Sequence, residues 1–421
     1  MSITELNKKA LDVLNNTFGY SSYRYEQEKI INSVLLGNHT LAIMPTGAGK
    51  SLCYQIPAII SSKKTVVISP LISLMDDQVS ALKECGVQAA KIHSDMTYDE
   101  RSSSWNNFKN GKEKIIYLSP EKIMSEDFLN QLKNLDVGLF VIDEIHCVSK
   151  WGHNFRPDYN QLSQLKSLFP NSNIIGFTAT ADQTTRLDIL EKIFNKNVNV
   201  FISSLDRPNL SLSITQKTNW KSQLLEYLRD RKSQSGIIYC LSKKKTEEVT
   251  SLLNDKGFNA STYHAGLDGQ VRKNVQDTFM TEQAHIVVAT IAFGMGIDKP
   301  DIRFVIHLNL PGSVEAYSQE IGRAGRDGNA SDTLLIYGLD DLVIRRRMIE
   351  ENSSEDKFKF HENKRLDYLL SYCETPECRR KVLLSYFDEE SENCNNCDNC
   401  IDPPSLIAVS YTHLRAHETS I

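Results

Sequence analysis

Nowhere in the 421 residues does an apolar run approach the ~18 to 20 residues that span a bilayer, so no membrane role is indicated. An excess of positive charge is missing too: 48 Lys and Arg stand against 53 Asp and Glu, for a formal net charge of -5. That argues against a protein that coats nucleic acid through bulk charge, while a local basic groove stays compatible with it. The opening MSITELNKKALDVL mixes charges into an amphipathic pattern. It has neither the continuous apolar stretch nor the small-residue cleavage site of a secretory signal, and the protein is expected in the cytoplasm. Cysteine is sparse over most of the length, with Cys53, Cys85, Cys147 and Cys240 standing singly. Without an export signal, a disulfide framework is not expected. No short-period repeat is visible either, so any relation between the halves of the chain is of architecture only.

What is present is an ordinary globular composition, 40% hydrophobic and 24% charged, in a chain too long for one core. Short β-branched runs (KKTVVISP, EKIIYLSP, VGLFVIDE, SNIIGFTAT) alternate with longer amphipathic stretches. The pattern restarts after a polar bridge at Asp206, Arg207 and Pro208, with SGIIYC, AHIVVAT, IRFVIHLNL and DTLLIYG. Strands alternating with helices predict parallel sheets covered on both faces, hence two α/β domains over 1–205 and 206–340. After these, DLVIRRRMIEEN and HENKRLDYLLSYCE carry apolar residues at helical spacing, predicting a small helical domain over 341–402. The stretch 403–421 has no periodicity and is expected to be disordered or non-native.

In open parallel sheets, ligands bind beyond the carboxyl ends of the strands. LAIMPTGAGKS reads as a strand, a glycine turn, and a helix opening at Lys50 and Ser51. Gly47 and Gly49, after Thr46, let backbone N–H groups approach phosphate oxygens; Lys50 reaches the outer phosphates of a nucleotide, and the Ser51 hydroxyl can ligate Mg2+. The strict phosphate-loop pattern wants glycine where Met44 stands, so the match rests on TGAGKS. VGLFVIDEIH delivers Asp143 and Glu144 to a strand end, the first suited to hold Mg2+ through water and the second to polarise an attacking water. Either motif alone has a bland reading, a glycine turn or a solvated terminus; together in one alternating domain they point to nucleotide hydrolysis.

Further along, Cys378, Cys394, Cys397 and Cys400 crowd into CRRKVLLSYFDEESENCNNCDNC, with Cys378 expected on a helix. Four thiolates at this spacing suit tetrahedral Zn2+ with no open position, a structural site, with an iron–sulfur cluster as the alternative. The segment from Cys147 to Tyr159 is rich for a connection, holding Trp151, His153, Phe155, Arg156 and Tyr159 directly after DEIH. Exposed loop aromatics suit stacking on unpaired bases, worth ~1 to 3 kcal/mol each, against an average ~1.4 kcal/mol to open a duplex step. The bland alternative is that these aromatics pack onto the domain core.

The series SPLISLMDDQ, LSPEKI, DEIH, FTATA, ATIAFGMGIDKP and QEIGRAGRDG resembles the motif order of superfamily 2 helicases. Within that group DEIH, CVSKWGHNFRPDY and the cysteine cluster resemble the RecQ family of DNA helicases, over residues 14 to 402. The resemblance implies two RecA-like domains in tandem followed by a helical zinc-binding subdomain, with the chain truncated after it, where the family usually continues into a winged-helix domain. It implies ATP-dependent 3'-to-5' movement on single-stranded DNA and strand separation in DNA repair and recombination. Single-stranded and forked DNA are the expected partners, with single-strand-binding or recombination proteins as candidates, and a monomer is expected.

Residue by residue, the resemblance makes Gln27 the reader of the adenine edge with Tyr23 and Arg24 stacking on it, although Tyr25 and Glu26 replace the usual proline and small residue. It assigns Gln319, Arg323 and Arg326 to the far side of the ATP site. An arginine supplied to the γ-phosphate is typically worth ~10^3 to 10^5 in turnover, and Arg326 is preferred over Arg323 for that role. It favours Trp151, Phe155 and Arg156 for DNA and adds phosphate contacts from SPLIS, ATIAFG and Lys243 to Lys245; His146 and His264 look like links between the sites, against the ordinary reading of a lone histidine as a hydrogen-bonded residue, which only His146 escapes by its position in DEIH. It selects Cys378 over Cys373 as the first metal ligand, leaving Cys373 a free thiol. Two competing functions stay open at this point: a DNA clamp that switches affinity without unwinding, and an RNA-directed helicase.

Overall fold

The computed structural model describes residues 3–149, 156–294, 297, 299–352 and 356–405. Among these, thirteen strands form two parallel sheets. The first holds β1 (Thr40–Ile43), β2 (Lys64–Ile68), β3 (Ala89–Ile92), β4 (Ile115–Leu118), β5 (Val137–Ile142), β6 (Asn173–Thr178) and β7 (Asn199–Ile202) in the order β3-β4-β2-β5-β6-β1-β7. The second holds β8 (Leu210–Gln216), β9 (Ser235–Tyr239), β10 (Asn259–Tyr263), β11 (His285–Ala289), β12 (Ile302–His307) and β13 (Ser331–Tyr337) in the order β10-β11-β9-β12-β13-β8. Helices cover both faces of the central strands, so these read as continuous apolar runs: every residue of β1, β4, β9 and β11 is buried.

The strands missing from the sequence reading, β3, β7, β8 and β10, are the four sheet edges. β7 is an edge strand with Val200 and Ile202 half exposed, and β8 alternates buried with half-buried residues at the other sheet's edge. Their weak apolar signal follows from having only one covered side.

Among the described residues four helices follow β13: Leu339–Asn352, Asp356–Glu374, Arg379–Ser385 and Asp398–Ile401. They do not form a separate core. Leu369, Tyr372, Cys373, Leu383 and Phe387 pack in one cluster with Leu212, Val305 and Tyr317 of the second domain. The seam is stitched by a bridge between Leu212 and Cys397 and by a hydrogen bond from Ile214 N to Asp398 Oδ2 at 2.9 Å. Cys378 is the residue before the helix Arg379–Ser385, with φ -53 and ψ 119, and not on the helix as its sequence suggested. The extended backbone there turns the thiol toward Cys394; a helical residue would point it along the helix flank.

Candidate nucleotide cleft and metal centre

The strand order brings the phosphate loop and the acid pair together. β1 runs into residues 44–51 and β5 into Asp143, with β6 alone between them. Met44, standing where the strict pattern wants glycine, extends β1: its N–H donates to Thr178 O at 3.0 Å and its side chain is fully buried. The glycine requirement falls three and five residues later. Gly47 and Gly49 have φ +81 and +73, a region that side chains with a Cβ occupy at a cost, and a Cβ on Gly49 would lie 2.5 Å from Gln27 Nε2. That amide donates to Ala48 O at 3.0 Å and Gly49 O at 3.2 Å, while Gln27 Oε1 accepts from Arg24 N at 2.8 Å. Gln27 and the backbone of Arg24 are thus fastened to the loop. Tyr23 packs partly buried on the same core, its phenol pushed up to about 12 by burial. Tyr25, which stands where the resemblance expects proline, has φ 50, in the left-handed region.

At the end of β5, burial first and the Glu144 carboxylate second push Asp143 up to about 6, against the pull of the Lys50 ammonium. Buried Glu144 and half-buried Asp143 beside one lysine are a setting that a divalent cation relieves, so the residues fit Mg2+. Glu144 sits at φ 48 and ψ 46, a left-handed conformation that costs a non-glycine residue roughly 1 kcal/mol or more. Its carboxylate lies 3.3 Å from His146 Nδ1, which is 2.9 Å from Thr178 Oγ1 in β6. Burial works against a charged His146 ring, yet Cys147 and Glu144 hold its pKa up, to about 10. Thr178 Oγ1 in turn donates to Thr180 O at 2.9 Å, so DEIH and FTATA are one hydrogen-bonded unit. His264 takes the ordinary reading, 3.2 Å from Glu247 Oε1.

Of the aromatic-rich segment, Trp151, His153 and Phe155 lie outside the described residues. Tyr159 is a correction to the expectation of exposed aromatics. It is fully buried and its hydroxyl donates to Asp143 O at 3.0 Å, so packing on the core wins for this ring. Arg156 donates from Nη1 to Pro70 O at 3.0 Å, which joins this segment to SPLIS.

The second domain faces the loop. Arg326 lies against Gly47, where an added Cβ would come within 3.2 Å of its Cγ, and Gly322 stands beside Thr46. Gln319 lines the same crevice with Pro45 and Thr46. Arg323 instead turns back into its own domain, buried, with Nη1 donating to Gly294 O. Arg207, in the linker between the sheets, was not singled out by the sequence. It donates to the carbonyls of Gly322 (3.0 Å), Ala324 (2.8 Å) and Gly325 (2.8 Å), fixing the turn between the two arginines. Only its place in the polar bridge hinted at a role.

In the third domain, the sulfurs of Cys378, Cys394, Cys397 and Cys400 all lie within 4.8 Å of one another, and Cys373 is not among them. Backbone amides of Arg379, Cys394 and Asn396 donate to Cys397, Cys378 and Cys394 at 3.3 to 3.4 Å. Burial opposes a Cys378 thiolate, but the Lys381 and Cys394 amides bring that thiol down to about 7. Burial raises the other three. Four crowded thiols with one poised to ionise fit a tetrahedral thiophilic cation, whose charge stabilises the remaining thiolates.

These features define a helicase-type ATPase core, and comparison with known proteins agrees. A DEAD/DEAH box helicase model matches residues 24–188 and a helicase conserved C-terminal domain model matches 219–328. A RecQ zinc-binding model matches 339–401. ATP-dependent DNA helicase RecQ of Pasteurella multocida is 44% identical over 95% of this chain. The RecQ helicase of Bacillus subtilis is 40% identical over 94% of this chain, which spans 67% of that protein. The chain belongs to the RecQ family of helicases. It spans 63% of the length of the Pasteurella protein and 64% of that of Haemophilus influenzae. In fold it also resembles Dbp5 of S. cerevisiae bound to RNA, with a TM-score of 0.64 at 18% identity, covering 88% of this chain and 99% of that one. Among the described residues no helix is long and apolar enough to cross a membrane.

Proposed function

We propose that this chain is a DNA-stimulated ATPase of the cytoplasm that uses ATP hydrolysis to move 3'-to-5' on single-stranded DNA and part the strands of forked duplexes, in repair and recombination. The observation that carries the reading is Arg326 of the second domain standing on Gly47 of the phosphate loop, so that one reaction site is shared by two bodies. Backbone N–H groups around Gly47 and Gly49, with Thr46 and Lys50, hold the phosphates, and Gln27 with Tyr23 and Arg24 serves the adenine side. Mg2+, held by Ser51 and Asp143, supplies charge neutralisation at the phosphate oxygens when bound. Glu144 orients and polarises the attacking water. Arg326 meets charge developing on the γ-phosphate once the domains close, while Arg323 and Gln319 support it. Opening after hydrolysis then changes the spacing of the DNA contacts on the two domains, which is movement. Trp151, His153, Phe155 and Arg156 take the DNA side, with Arg156 joined to SPLIS through Pro70 O.

The test is displacement of a labelled strand from partial duplexes carrying either a 3' or a 5' overhang, with ATP and Mg2+. Release from the 3'-overhang substrate is expected. Turnover of ATP with no release leaves only a clamp, and stronger stimulation by RNA than by single-stranded DNA sinks the substrate assignment.

A further inference from the structure

The buried charges of the nucleotide cleft find a use in hydrolysis; those at the junction of the three domains do not. Arg365, on the helix Asp356–Glu374, is 6% exposed, and its guanidinium meets a carboxylate from each domain. Glu362 Oε1 of its own helix lies 3.0 Å from Nη1. Glu315 Oε1 of the second domain lies 3.3 Å from Nε, and Asp182 Oδ2 of the first lies 3.7 Å from Nη2. Glu315 is 2% exposed and also accepts a hydrogen bond from Tyr386 at 2.7 Å.

Where those two distant acids sit gives the junction its meaning. Glu315 is in the first turn of the helix Val314–Ile321, four residues before Gln319 and so on the same face; Arg323 and Arg326 follow directly after that helix. Asp182 follows FTATA, two residues past Thr180, to which Thr178 donates. Its other oxygen accepts from Thr185 N at 2.7 Å, capping the helix Gln183–Lys192. One guanidinium therefore spans the end of the β6 unit, which holds His146 and Glu144, and the start of the helix that presents the arginines. Desolvating such a set of charges offsets most of their Coulombic attraction, so the cluster adds little net stability.

We propose that Arg365 is a positioning residue for ATP hydrolysis, linking through the third domain the closure of the cleft to the seating of Arg326. The link rests on the functional reading above for its effect on turnover, but not for its existence. When Asp182 moves with the first domain, Arg365 passes the displacement to Glu315, and the helix carrying Gln319 moves with it.

Three variants test this: Arg365→Met, which keeps volume and drops charge; Arg365→Lys, which keeps charge; and Asp182→Ser, which keeps a capping oxygen. In the whole chain, Arg365→Met is expected to lower the kcat of DNA-stimulated ATP hydrolysis by about tenfold with KM for ATP within about twofold, Arg365→Lys to recover most of it, and Asp182→Ser to cost about threefold. Asp182→Ser in the Arg365→Met background is expected to add nothing, because the two act through one contact. Hydrogen exchange gives a readout free of turnover: amides of Val314–Ile321 and the turn to Arg326 should exchange faster in Arg365→Met, with β9 unchanged. Multiplying effects of the two substitutions, or unchanged exchange in that helix, overturns the proposal. Should Arg365→Met fail to fold, wild-type kcat and exchange in Asp182→Ser overturn it equally. Absence of ATP turnover in the wild-type chain sinks the functional reading alone, and the exchange result still decides the link.

Discussion

The cysteine cluster and the nucleotide cleft are both built from side chains that converge on an ion or ligand, but they gather those side chains over different lengths of chain. The cluster takes its four sulfurs from residues 378 to 400 and secures them with neighbouring amides. The cleft takes Gln27, Lys50, Asp143 and Arg326 from two domains, and its halves meet where Arg326 rests on Gly47. A local site can be complete whenever its segment is folded. A divided site is complete only in one relation of the domains, and under the proposed function that dependence is what couples hydrolysis to mechanical work.

The largest expected effect falls on the local site. Stripping zinc from the loaded chain with a strong chelator should cost on the order of 10 kcal/mol of folding free energy in the third domain. Exchange protection should vanish over Arg379–Ser385 and weaken along β8, which is bridged to Cys397, while β1 to β6 keep theirs. Loss of protection through the first sheet as well would break the comparison, since the cluster would then hold up the whole molecule.

Next in size is the divided site, where two arginines three residues apart should part company. Arg326→Ala is expected to lower single-turnover hydrolysis by ~10^3-fold or more while the unfolding midpoint in denaturant stays near wild type, because its side chain faces the other domain. Arg323→Ala removes a buried guanidinium bonded to Gly294 O, so it should cost roughly 2 to 4 kcal/mol of stability along with activity. Equal stability losses in the two variants would mean that Arg326 is also a structural residue and the cleft less divided than drawn.

The same contrast explains what could be read without coordinates. The cysteines, TGAGKS and DEIH announce themselves because each is contiguous and chemically unusual, and the central strands do because burial on both faces makes them uniformly apolar. β7 and β8 were silent because an edge strand is covered on one side and lacks that uniform run. Met44 looked like a defect in the phosphate loop, yet it only prolongs β1 under Thr178. Asp182, Glu315 and Arg365 leave no mark in the sequence, and Arg207 only its place in the polar bridge, since each is an ordinary charge with decisive partners more than a hundred residues away or across a domain boundary. Tyr159 shows the reverse error: beside Trp151 and Phe155 it reads as one more exposed ring, and the fold uses it as a buried hydrogen-bond donor to Asp143 O.

The smallest predicted effect tests how local the cluster is. Cys373 lies five residues before Cys378 and competes with it by spacing alone, but its side chain points into the core with Leu369, Tyr372 and Phe387, 4% exposed. Burial pushes its thiol up to about 12, so it stays protonated where a ligand must ionise. Replacing a buried thiol that acts as a small hydrophobe costs about 1 kcal/mol. Cys373→Ala should therefore shift the unfolding midpoint slightly and leave one zinc per chain by metal analysis, whereas Cys397→Ala should lose the metal. Zinc lost from both variants would mean that the core packing around Cys373 sets the geometry of the four sulfurs, and the cluster would belong with the cleft among sites assembled from a distance.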